Sequence, residues 1–221
     1  MSILSFVMYF FLFRILLQYP YIFIALVVAW FLRDRIPSPA DWLRRQKAFG
    51  RLQQAVAVNP HDSTARRDLG LVLLEKNRPK EALDNFIEAL KKDDSAEINH
   101  FTGVAYLRSG SAENAERYLR TAVKLDPRFR YGESWQYLGE ALLALNRPDE
   151  AHDVLKQCLS INNTSIEGIY QYARALSTLG RKDEARKAAD DGIRYHKANP
   201  AFRRRRDWRA YVKLKSLRRG L

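Results

Sequence analysis

Four histidines (His61, His100, His152 and His196) and one cysteine (Cys158) are the side chains best suited to metal binding or nucleophilic work. Their spacing argues against both. The nearest pair, His152 and Cys158, stands six residues apart, and on a helix that separation does not bring two side chains to one face. Asp149-Glu150 and Asp183-Glu184 look like carboxylate pairs for acid–base work. Each pair falls where a helix would begin, and the helix dipole explains negative charge there. No glycine-rich loop able to cradle phosphate is present. The glycosylation sequons within NNTS at 162–165 mean nothing if the segment is cytoplasmic. Trp135, Tyr137, Phe101 and Tyr106 fall at packing positions and read as core rather than as a platform for bases. The chain is therefore expected to hold no catalytic residue, no metal and no cofactor, and not to be an enzyme. His100 alone is kept as a candidate ligand contact.

Charge is the remaining source of chemistry, and it is unevenly placed. The formal net charge is +13, yet residues 61–200 are neutral and the excess lies at the two ends. That distribution excludes a uniformly basic nucleic-acid-binding body. Most of the excess is in AFRRRRDWRAYVKLKSLRRGL (201–221). There Arg203, Arg204, Arg205, Arg206, Arg209, Lys213, Lys215, Arg218 and Arg219 stand against Asp207 alone. The stretch follows Asn199-Pro200, a break and a helix restart. Trp208, Tyr211, Val212, Leu214, Leu217 and Leu221 give it a broad apolar side. It is expected to be a capping helix with its cations in water. The surplus charge also suits an anionic lipid leaflet, at roughly 1 kcal/mol per basic residue near the surface. An RNA or an acidic protein is the competing partner.

Toward the amino terminus, MSILSFVMYFFLFRILLQYPYIFIALVVAWFLRDR is almost wholly apolar to Leu32. It lacks the charged start, short apolar core and small-residue cleavage site of a secretory signal. The run is long and aromatic enough to predict membrane insertion. As one helix, Ile3 to Leu32 would span roughly 45 Å, too short for two crossings of a bilayer core about 30 Å thick. A single crossing from about Ile15 to Leu32 is preferred, with Arg14 and Arg33 at opposite interfaces. A re-entrant hairpin broken at QYPY is the alternative. Arg33, Arg35, Arg44, Arg45, Lys47 and Arg51 follow the run, so the positive-inside bias places everything after it in the cytoplasm. A single cysteine, which allows no internal disulfide, agrees.

The elements that must carry any site are set by a repeat. NRPKEAL (77–83), GSAENAE (110–116), NRPDEAH (146–152) and GRKDEAR (180–186) start 33, 36 and 34 residues apart. Each unit reads as two helices. Leu69, Val72 and Leu73, then Leu83, Phe86, Ile87 and Leu90, recur at three and four. Between them Asn77 suits the left-handed residue that ends a helix, and Pro79 suits the first turn of the next. Gly110 and Gly180 replace Asn at the same corner. Small residues recur at Gly70, Gly103, Gly139 and Ala173, and at Ala82, Ala115, Ala151 and Ala185. At constant period they predict close backbone packing within each pair.

These units resemble the tetratricopeptide repeat (TPR) family. The resemblance is carried by LGLVL…A…F…A in the first unit, TGVAY…A…L…A…DP (102–127) in the second and WQYLGEAL…A (135–151), with its opening Trp135, in the third. The fourth, IYQYARAL…A (169–185), is degenerate, with Ala173 where Gly is usual and Gly192 where Ala is usual. AFGRLQQAVAVNP (48–60) looks like the second helix of a unit whose first helix has diverged. The resemblance implies a right-handed superhelix of helix pairs whose first helices line a concave groove, and a binding scaffold as the class of function. It implies groove positions at Arg67, Leu71, Glu75, His100, Val104, Arg108, Gln136, Glu140, Tyr170 and Arg174. Some members hold a peptide's terminal carboxylates with Lys and Asn. Leu71 and Val104 stand where Asn would serve, so that clamp is not expected, with Arg67 only a partial match.

The expected architecture is all-α. Residues 1–36 are a membrane anchor, 37–60 a basic linker and degenerate half-repeat, 61–200 four TPR-like repeats forming an α-solenoid, and 201–221 a basic capping helix. The expected function is a single-pass, membrane-anchored adaptor binding protein or peptide partners at the cytoplasmic face. The alternative is a membrane-tethered RNA-, ribosome- or anionic-lipid-binding factor acting through the tail.

Overall fold

The computed structural model describes the chain from Pro39 to Leu221, with side chains from Gln46 onward, and six scattered positions before it. Two compact units divide it, residues 1–50 and 51–221. Apart from those scattered positions, the expected anchor at 1–36 lies outside the described residues, as do both of its topologies. Among the described residues no helix is long and apolar enough to cross a membrane. No strand occurs among them.

Helix α1 (Pro39–Val58) runs unbroken through the stretch read as a linker and half-repeat. Leu, Arg, Gln and Ala dominate it, and Gly50 is its one interior breaker, a cost of about 1 kcal/mol that a long helix absorbs. Four helix pairs follow: α2 (Ser63–Glu75) with α3 (Pro79–Leu90), α4 (Ala96–Arg108) with α5 (Ala112–Leu125), α6 (Glu133–Ala144) with α7 (Pro148–Ile161), and α8 (Ile166–Thr178) with α9 (Lys182–Ala198). Each packs on its chain neighbours, and successive first helices touch one another. That is the nearest-neighbour architecture of an α-solenoid.

The corners obey local chemistry. Asn77 and Asn146 adopt φ of 57°, and Gly110 and Gly180 adopt 87° and 76°, the left-handed geometry that ends a helix. Pro79 and Pro148 occupy first-turn positions of α3 and α7. Before three of the four second helices an arginine then grips the glutamate three residues on: Arg78 with Glu81, Arg147 with Glu150, Arg181 with Glu184; α5 follows Ser111 instead. First helices begin differently. The Asp62 carboxylate accepts from the Ala65 N–H at 3.0 Å, and Ser165 Oγ from Gly168 N–H at 3.1 Å, each satisfying a donor the helix leaves orphaned.

The tail is two helices rather than one: α10 (Ala201–Arg206) and α11 (Trp208–Gly220), broken at Asp207. Only α11 caps. Its Ala210 and Leu214 are buried in one cluster with Ile166, Ile169, Ala173 and Ala189. This explains the unusual Gly192 on α9. A Cβ there would stand 2.6 Å from Leu214, so the glycine makes room for the cap.

Candidate partner-binding groove

An open cleft of about 910 Å³ lies against the first helices. Gln136, Tyr137 and Glu140 of α6 line it, with Arg108 at the end of α4 and Ser165 to Glu167 at the start of α8. The turn Arg130–Glu133, the end of α7 with the loop after it, and the tail through Arg203, Arg206, Asp207, Arg209, Ala210 and Lys213 also line it. Its walls carry both signs of charge.

Of the ten positions expected on the groove, Arg108, Gln136 and Glu140 line this cleft. Arg108 Nη1 donates to the Leu74 carbonyl at 2.9 Å, so it also satisfies the open end of α2. Gln136 Oε1 accepts from Ser165 Oγ at 3.4 Å. Burial first, then the neighbouring Glu167 carboxylate, holds Glu140 above the usual carboxylate range. Glu167 in turn accepts from Lys213 Nζ at 3.4 Å.

Tyr170 serves the cap, and Arg174 stays on its own helix α8, against Tyr170 and Gln171. The Tyr170 ring has Arg174 at 5.7 Å and Lys213 at 5.5 Å, within cation–π range of both, and it packs against the cluster that holds Leu214. Arg67, Leu71 and Glu75 lie on α2, outside the cleft. Arg67 is spent on Asp68 at 2.8 Å and Glu97 at 3.2 Å, tying α2 to α4.

His100 and Val104 are corrections. They are 1% and 3% exposed, because α4 is enclosed on nearly every side. His100 Nδ1 pairs with Ser134 Oγ at 2.9 Å among the rings of Phe101, Phe129 and Tyr137. Burial, assisted by Arg130, lowers its pKa to about 3, so it is a neutral core histidine and not a ligand contact. Cys158 lies at the cleft floor, but burial and Glu133 push its thiol up to about 12. Among the described residues no three His, Cys, Asp or Glu side chains converge as a metal site.

Sequence reasoning missed the turn before α6. Arg130, Tyr131 and Gly132 take φ of 47°, 59° and 82° in succession, and Tyr131 is 79% exposed at the cleft's edge. The signal was the 36-residue spacing before the third corner, longer than its neighbours.

Tetratricopeptide repeat models match residues 44–101, 102–162 and 142–204. The crystal structure of MamA is similar at a TM-score of 0.64 and 20% identity, covering 74% of this chain and 97% of that one. A thermophilic TPR protein of Thermus thermophilus gives 0.60 and 22%, over 80% of this chain and 92% of that one. YrrB, a TPR protein with an unusual peptide-binding site, gives 0.55 and 20%, over 75% and 91%. At such identities the likeness is one of fold. No curated protein sequence matches the chain.

Proposed function

The chain belongs to the tetratricopeptide repeat family, and from that premise we propose that it is a membrane-anchored adaptor without chemistry of its own. Its partner is a protein or peptide segment held in the cleft between the first helices and the tail. The observation that carries this reading is the cleft itself, about 910 Å³ with charged side chains of both signs on its walls. YrrB, with a peptide-binding site on the same fold, supports a peptide as occupant. The apolar run to Leu32 and the basic residues after it support the anchor and a cytoplasmic repeat domain. Anchoring would raise the local concentration of whatever the cleft holds.

Two experiments test this. A photo-crosslinker in place of Tyr131 in the full-length chain should capture a discrete protein in cells, and the capture should fail with Glu140→Lys. The same probe at Asp183, which does not line the cleft, should capture nothing specific. Equal capture at both positions removes the groove from the proposal. Protease added outside sealed cells should leave the repeats whole until lysis. Digestion before lysis would put them on the outer side.

A further inference from the structure

We propose that the outward face of α11, with α10 beside it in the chain, docks on an anionic lipid leaflet. The inference deepens the anchored reading by giving the tail its own contact with the bilayer. It starts from two opposed stripes on one helix. Ala210, Leu214 and Leu217 recur at four and three; the first two are buried and the third half-buried in the cap. Trp208, Val212, Lys215 and Arg219 form the opposite stripe by the same spacing, and all four are exposed.

Capping does not account for that second stripe. A cap facing water needs polar residues on its outer side. Here Trp208 is 57% exposed and Val212 45%, and Phe202 on α10 is 68% exposed. Cations surround them. Lys215 and Arg219 are exposed and have no acid partner among the described residues, whereas Lys213 and Arg218 are paired with Glu167 and Asp190 and Arg203 and Arg209 line the cleft. Exposed apolar and aromatic residues interleaved with unpaired cations are what an anionic bilayer interface accepts: rings and aliphatic groups at headgroup depth, charges on the phosphates. Nucleic acid would use the cations and could stack on Trp208, but it gives Val212 nothing to do. Lipid therefore accounts for more of the stripe.

The test uses the full chain in vesicles of phosphatidylcholine alone or mixed with phosphatidylglycerol. An environment-sensitive fluorophore is placed at Val212→Cys, with Cys158 buried and unreactive. The label should shift blue, and be quenched by brominated acyl chains, in anionic vesicles only. K215E/R219E should lose the shift with an unchanged thermal melt, since neither side chain touches the cap. A shift independent of lipid charge, no shift, or removal of the label from anionic vesicles by an equal charge of poly(U) RNA would overturn the proposal. The anchor is read separately, by flotation with neutral vesicles. A chain that floats only with anionic vesicles keeps the docking face and loses the anchor.

Discussion

Gly70 and Phe86 fill one another's space: a Cβ on Gly70 would stand 2.5 Å from the buried Phe86 ring. The same sixteen-residue offset pairs Gly103 with Leu119 and Gly139 with Leu155, each at comparably close range. In the fourth unit it pairs Ala173 with Ala189, both fully buried in one cluster. The degenerate repeat has thus exchanged a small–large pair for two of intermediate size. Gly70→Ala should gain up to about 1 kcal/mol of helix propensity and lose about 1–3 kcal/mol to overpacking. A net loss in chemical denaturation is expected, and Phe86→Leu in the same chain should recover part of it.

His100 makes stability depend on pH. Its folded pKa of about 3 lies below the ordinary value near 6.5. Between those values the unfolded chain binds the proton and the folded chain does not, so stability falls as pH drops through that window. From pH 6.5 to 5 the loss is on the order of 1–2 kcal/mol. Melts of His100→Phe across this range should be flatter than those of the native chain. Equal slopes would show that the imidazole is reached by solvent.

Glu140 has the opposite sign. Its raised folded pKa favours the protonated form, so its contribution is present at low pH and lost as pH rises through that raised value. A carboxylate ionised on the cleft floor at neutral pH therefore opposes folding. Glu140→Gln should raise the melting temperature at pH 7, the gain should vanish near pH 4, and partner capture through the cleft should weaken. A protein stabilised at both pH values would point to packing rather than charge.

The corners were legible because each is decided by a few adjacent residues. Asn77, Pro79 and Glu81 act within one turn, and the four copies reinforced one another. Side-chain direction on α4 was not legible. Ile98, Asn99, His100, Thr102, Gly103, Val104 and Ala105 are all buried, so that helix has almost no solvent face for its sequence to mark. The family resemblance put His100 and Val104 on the expected groove side, yet the rings of Phe101, Phe129 and Tyr137 close over His100. The role of Tyr170 was hidden for a different reason. Its neighbour Lys213 lies forty-three residues on, and nothing local announces such a contact. The tail's part in the cleft is non-local in the same way.

The cap and the docking stripe share one helix, and their variants should separate cleanly. Leu214 is fully buried, where it fills the room that Gly192 leaves and meets the Ile169 cluster. Leu214→Ala should cost about 2–5 kcal/mol, the range for truncating a buried leucine. Trp208→Ser and Lys215→Glu, on the exposed stripe, should stay within about 0.5 kcal/mol of the native chain. Because each repeat contacts mainly its neighbours, the Leu214→Ala damage should also be local. Amide exchange should rise first in α8 and α9, around Ile169, Ala173 and Ala189, while α2 to α5 keep their protection. Uniform loss along the array would mean that it unfolds as one cooperative block. Unchanged exchange in α8 and α9 would mean that α11 is not a cap at all, and the helix would then be free to serve the membrane with both of its faces.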